Sequence, residues 1–258
     1  MTFRKISIGC AFATFGLYAA LILSLFYFFR RETLWATVLS ERTLFSVRLS
    51  IVAATISTLL SIVIAIPSAF ALSRYDFPGK RAVDTMLELP MIVSPAALGA
   101  MLLVFFNNPV GLWIQDHGAQ FVFTFYGIVL AQFVTICGVS ARLIKAAMDE
   151  IPARYEAVAR TLGASPAKAF LTITLPLSRR GIIAASILSW AKALGEFGAT
   201  ITIAGSMAMK TETLPIAIFM RLASAEIEGT VVLILILVSI GLSILYLVRS
   251  LSRGPSHA

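Results

Sequence analysis

From Leu49 to Ser73 the chain runs 25 residues without a charged side chain, and from Ile6 to Phe29 it runs another 24. At 1.5 Å of rise per residue, either stretch as a helix reaches across the roughly 30 Å hydrocarbon core of a bilayer. Inside lipid a backbone must satisfy its own N–H and C=O groups, so such stretches are confined to helices. The composition agrees: 59% hydrophobic against 13% charged residues leaves too little polar surface for a water-soluble fold.

Hydropathy and punctuation predict six spans in one transmembrane domain over 1–258, at about 6–29, 49–73, 89–106, 119–141, 181–204 and 230–248. The first reads as an uncleaved span, because Leu25-Phe26-Tyr27-Phe28-Phe29 offers no small-x-small cleavage site. The second is dotted with Ala53, Ala54, Ser57, Ser61 and Ala65, small residues that let helix backbones approach, and is expected to pack against protein. A polar turn at 74–88 precedes the third span, which Pro90 and Ser94-Pro95 interrupt. There Ser94 is expected to cap and Pro95 to open a new helical segment, the signature of a transport pathway or of an ordinary proline kink.

The fifth span carries Lys192 and Glu196, four residues apart and thus expected on one helix face, at depths where charge is costly. Such a pair either neutralises itself for packing or lines a hydrated route, with Lys192 offsetting an anion's charge and Glu196 fixing a gate. Gly195 and Gly198 remove bulk beside it. The expected pathway set is therefore Ser94, Pro95, Lys192, Gly195, Glu196 and Gly198. Residues 206–229 are expected to hold a short helix through Leu214, Ile218 and Leu222, read as a plain surface helix, and the tail from Ser250 is expected to be disordered.

Between the fourth and fifth spans, residues 142–180 hold Arg142, Lys145, Arg154, Arg160, Lys168, Arg179 and Arg180, and so must lie outside the bilayer. Pro152 suits a first helical position, Tyr155, Ala159 and Leu162 recur at helical spacing, and Gly163 supplies a left-handed stop. Ser165-Pro166 restarts the chain as a helix that Pro176 is expected to limit near Thr174. With the amino terminus inside, Lys and Arg concentrate on the side that carries this island, which places it in the cytoplasm.

Gly163, nine residues, then Ile173-Thr174-Leu175-Pro176 resembles the cytoplasmic coupling (EAA) loop of the membrane subunits of ATP-binding-cassette importers. One departure is present: Glu156-Ala157-Val158 stands where the family has Glu-Ala-Ala, and Glu156 is seven residues before the glycine instead of six, a turn of about 100° around a helix. The run Gly195-Glu196-Phe197-Gly198-Ala199-Thr200 with Ala204-Gly205 is similar to the fifth helix of molybdate, tungstate and sulfate permeases, and Leu89-Pro90 through Pro95 to Gly99 to another of their segments. The resemblance implies an all-α integral membrane protein of the type I importer kind. Its coupling contacts would fall on Glu156, Ala157, Gly163, Ala164, Ser165, Pro166, Ile173, Leu175 and Pro176. It further implies a permease homodimer in the inner membrane, two ATPase subunits that bind ATP and magnesium, and an extracytoplasmic binding protein delivering a tetrahedral oxyanion. Molybdate or tungstate is favoured, with sulfate or thiosulfate as the alternative.

Other functions lack their parts. No Gly-x-x-x-x-Gly-Lys-Ser/Thr loop is present, so ATP is expected on another polypeptide. His117 and His257 with Cys10 and Cys137 supply neither a metal cluster nor a catalytic set, which argues against a membrane-embedded enzyme. The net charge of +8 flanks apolar spans, as suits lipid headgroups and membrane orientation, and forms no stripe with interleaved aromatics for nucleic acid.

Overall fold

The computed structural model describes residues 2–252. All regular structure among them is helical: α1 (Thr2–Leu25), a 3-10 turn (Phe26–Phe28), α2 (Arg31–Val38), α3 (Glu41–Arg74), α4 (Lys80–Leu87), α5 (Leu89–Ile92), α6 (Pro95–Phe106) and α7 (Pro109–His117). Then follow α8 (Phe125–Asp149), α9 (Arg154–Thr161), α10 (Pro166–Ala169), a π-turn (Phe170–Thr174), α11 (Leu175–Leu194), α12 (Gly198–Ala204), α13 (Leu214–Ala223) and α14 (Ile227–Ser252). Five helical stretches are long and apolar enough to cross a membrane, and a sixth crossing results if the bent pair Lys80–Ile92 and Pro95–Phe106 counts as one.

The second span is longer than its uncharged run. Ser40 caps α3 by accepting a hydrogen bond from Thr43 N at 3.3 Å, and the helix runs 34 residues to Arg74. The charged residues Glu41, Arg42, Arg48 and Arg74 near its two ends are part of the same helix, which therefore outreaches the uncharged stretch that hydropathy marks. Its small residues do pack as expected: Ala53, Ala54, Ser57, Ser61, Ala65 and Ala69 are all fully buried. The serines also tie helices together. Ser57 Oγ donates to Val129 O at 3.0 Å and Ser61 Oγ to Ser140 Oγ at 2.9 Å, while Ser140 and Ser189 hydroxyls meet at 2.7 Å. These bonds join α3, α8 and α11 where lipid offers no hydrophobic drive for association.

Elsewhere the boundaries shift. The fourth span is α8, starting at Phe125 and running eight residues past Ala141, so Arg142 and Lys145 are helical and not loop. The expected polar turn at 74–88 contains a helix, α4, and Asp84 within it and Glu88 at its end pair with Arg142 at 3.4 and 2.5 Å. Pro176 does not end its helix. A π-turn immediately before it moves the hydrogen bonds to wider spacing, Leu175 N bonding Phe170 O, and the helix continues from Pro166 through to Leu194. Proline lacks the N–H that an α register would require there, and the wider turn absorbs the mismatch.

The short helix at 206–229 is not a plain surface helix. Leu214 and Ile216 of α13 are fully buried and Ala217 nearly so, and the turn before it places Thr211, Glu212 and Thr213 at 0% exposure. The tail expectation divides: Ser250 to Ser252 are helical, as the end of α14, and residues 253–258 lie outside the described residues. By contrast α1 has no buried residue from Phe3 to Leu25, and the first span meets α14 at its far end, through the 3-10 turn.

Candidate functional site

Two constellations stand out at opposite ends of α11. At one end, α8 turns through Ile151 into α9, and Gly163 closes α9 with φ +87°. Gly163 N bonds Arg160 O at 3.1 Å and Ala164 N bonds Ala159 O at 3.0 Å, the paired bonds of a Schellman stop that needs a left-handed residue between them. Ser165 then caps α10, accepting from Lys168 N at 3.2 Å, with Pro166 in its first turn.

Ala157, Gly163, Ser165, Pro166 and Pro176 are exposed, and Ala164, Ile173 and Leu175 half-buried. The helical spacing that marks α9 in the sequence serves an outward face. Tyr155, Val158, Ala159 and Leu162 join Ile173 and Leu177 around an open apolar groove of about 540 Å³, with Leu162 84% exposed. Arg154, Arg160 and Lys168 are exposed on the same loop. Val158 and Leu177 were not among the expected contacts. Their signal in the sequence is an apolar side chain at a helical offset from residues that must be outside lipid.

Glu156 does not share that face. Its Oε1 accepts from Arg74 Nε at 2.8 Å and from Thr174 Oγ1 at 2.5 Å, so the carboxylate points back toward the ends of the spans.

At the other end, the third and fifth spans are both broken, and the breaks touch. The stretch Lys80–Ile92 and α6 are bent by 113° across Val93-Ser94, and Ser94 Oγ accepts from Ala97 N at 3.3 Å as the expected cap. α11 stops at Leu194, and α12 starts at Gly198. A Cβ on Gly198 would lie 2.9 Å from Ala96 N, and one on Gly99 would lie 2.7 Å from Ala199 O. The two half-helices therefore run side by side, backbone against backbone, at spacings only glycine permits.

Lys192 and Glu196 do not share a helix face, contrary to expectation, because the helix ends between them. No Lys192–Glu196 ion pair forms among the described residues. Glu196 is 5% exposed and its Oε1 accepts from Ala199 N at 2.9 Å, so its carboxylate caps the start of α12. Lys192 lies exposed on the last turn of α11, beside that helix's carbonyl end, and Gly195 is exposed next to it.

A family model described as the binding-protein-dependent transport system inner membrane component matches residues 59–257. The chain belongs to this family. Over 213 residues it is 37% identical to the molybdenum transport system permease protein ModB of Haemophilus influenzae, covering 81% of this chain and 93% of that one. It is 28% identical over 219 residues to the sulfate transport system permease protein CysT of Escherichia coli, covering 84% and 79%. Among solved structures, the bacterial alginate transporter in complex with its pentasaccharide-bound periplasmic protein superposes with a TM-score of 0.79 at 16% identity, over 97% of this chain and 93% of that chain. The inward-facing MetNI methionine transporter gives 0.66 at 17% identity, over 83% and 98%. At those identities the structural likeness establishes the fold, that of importer membrane subunits. The family's members are transport permeases, and the chain is a multi-pass permease subunit of a binding-protein-dependent importer.

Proposed function

We propose that this chain is the permease of an ATP-driven importer of a tetrahedral oxyanion, molybdate or tungstate, in the inner membrane. The likeness to molybdenum permeases, 37% identical over four-fifths of the chain, carries the substrate reading. Sulfate is the second reading, favoured by relatives that cover a similar share at 28–30% identity. Two copies form the pathway, two ATPase subunits with ATP and magnesium engage the coupling loops, and a binding protein delivers the anion from outside. The amino terminus is cytoplasmic.

The outward apolar groove at Tyr155, Val158 and Leu162 supports the ATPase contact, since a large apolar patch on a polar loop calls for a protein partner. Two features support a second permease copy. α1 buries none of its residues from Phe3 to Leu25 against its own chain, and the exposed Lys192 on a membrane helix requires water or protein beside it instead of lipid. The coupling residues are Glu156, Ala157, Gly163, Ala164, Ser165, Pro166, Ile173, Leu175 and Pro176, and Ser94, Pro95, Lys192, Gly195, Glu196 and Gly198 form the gate region. The test is uptake by proteoliposomes holding the permease, its ATPase and the binding protein, with molybdate, tungstate and sulfate compared. ATP-dependent accumulation of molybdate that excess sulfate does not suppress supports the first reading. Accumulation of sulfate alone establishes the second, and no ATP-dependent uptake of any of the three removes both.

A further inference from the structure

We propose that Arg74 is the positioning residue that transmits motion of the coupling loop to α3 and α8. Its side chain is 10% exposed, and its guanidinium holds partners on three elements. Nε donates to Glu156 Oε1 of α9 at 2.8 Å. Nη2 donates to the carbonyls of Met148 at 3.0 Å and Ile151 at 2.7 Å, at the end of α8, and Nη1 to Ser73 Oγ at 3.1 Å. The links continue on both sides. Thr174 Oγ1, in the π-turn, donates to the same Glu156 oxygen, and Ser73 Oγ donates to Asp149, which Lys145 also holds at 2.9 Å.

One guanidinium thus ties the last residues of α3 and α8 to α9, and through Glu156 to the foot of α11. Chain connectivity alone would carry a displacement of α9 through the 150–153 turn and the Gly163 corner. Neither leads to α3. The planar five-donor fork of Arg supplies that route, and Lys, with one point of attachment, cannot hold the carboxylate and two carbonyls in a plane. Glu156, turned away from the outward groove, is the other half of the link.

This rests on the importer reading, and its test separates the two. Wild type, Arg74→Lys, Arg74→Gln, Glu156→Gln and, as a control, Lys80→Gln are purified with the partner ATPase and reconstituted with the binding protein. ATP hydrolysed and molybdate imported are measured together, with sulfate in parallel. Lys80 holds a comparable pair with Asp76 at 3.0 Å, where Asp76 is fully exposed. The expected result is that the variants retain the ATPase while anion imported per ATP falls about ten-fold in Arg74→Gln, within reach of substitutions on a coupling route. Arg74→Lys should recover little, Glu156→Gln should fall in between, and Lys80→Gln should match wild type. If Arg74→Gln does not assemble, Glu156→Gln decides, because it leaves the bonds from Arg74 to Met148 and Ile151 in place. A wild-type ratio of import to hydrolysis in assembled Glu156→Gln overturns the proposal. Failure of the folded wild type to bind any ATPase overturns the importer reading and the proposal with it.

Discussion

Arg42 and Glu212 meet in a two-pronged ion pair, Nε to Oε2 and Nη2 to Oε1, both at 2.7 Å, in which Arg42 is half exposed and Glu212 is 1% exposed. The pair pins the start of α3 to the turn before α13, a turn that Ser50 Oγ also holds by accepting from Leu214 N at 2.7 Å. The asymmetry in burial makes an asymmetric prediction. Arg42→Met strands a buried carboxylate and is expected to cost about 3 kcal/mol, the low end for breaking a buried pair because water reaches the arginine side. Glu212→Gln leaves a half-solvated guanidinium and an amide that still accepts, so it is expected to cost clearly less. Unfolding midpoints of the detergent-solubilised variants check the order, and equal losses would count against it.

Gly163 tests conformation apart from space. A Cβ there would meet nothing within 4 Å, but the backbone sits at φ +87°. Gly163→Asn is therefore expected to keep the ATPase in a pull-down. Gly163→Val, strained by about 1–2 kcal/mol in the left-handed region, is expected to bind several-fold less. Comparable retention by both would show that the Schellman corner does not govern docking.

The contact between the half-helices tests the reverse case, space without strain. Gly99→Ala places a methyl 2.7 Å from Ala199 O and 2.8 Å from its Cα, both backbone atoms that cannot rotate aside. Overpacking of this kind costs about 1–3 kcal/mol. A lowered unfolding midpoint with reduced uptake is expected, and an unchanged midpoint would mean that α6 and α12 separate easily.

Lys192 and Glu196 make separable predictions, because the helix end between them gives them separate jobs. Lys192→Ala is expected to slow uptake at low anion concentration without shifting the unfolding midpoint, and Lys192→Arg to preserve most of the rate. Unchanged uptake in Lys192→Ala would remove it from the pathway. Glu196→Gln keeps an oxygen for Ala199 N and is expected to stay folded. Glu196→Leu loses the cap and leaves a buried amide unsatisfied, costing about 1–3 kcal/mol by the same thermal measurement.

What was legible in the sequence is what local chemistry decides. The Ser94-Pro95 break, the Ser165-Pro166 restart and the Gly163 stop were placed within a residue, because caps, prolines and a left-handed glycine act on their immediate neighbours. The small-residue stripe of α3 was equally plain. Uncharged runs, however, do not mark where helices end, so α3 and α8 extend beyond the predicted limits. Pro176 was misread as a stop because the π-turn that accommodates it leaves no compositional trace. Lys192 and Glu196 were placed on one face by spacing, which holds only within an unbroken helix. The inward turn of Glu156 toward Arg74, 82 positions away, depends on tertiary contact that no local pattern encodes.

The π-turn before Pro176 has a mechanical consequence. By carrying the helix through the proline, it fuses the foot of the coupling loop and the Lys192 end of the fifth span into one 29-residue rod from Pro166 to Leu194, about 43 Å long. Such a rod swung by about 10° around its middle displaces its two ends by roughly 4 Å in opposite directions, by its length alone. In such a tilt, drawing the Pro166 end inward would push the Leu194 end outward beside the paired breaks. A straight rod that tilts about its middle would therefore move its two ends in opposite directions, never both the same way at once.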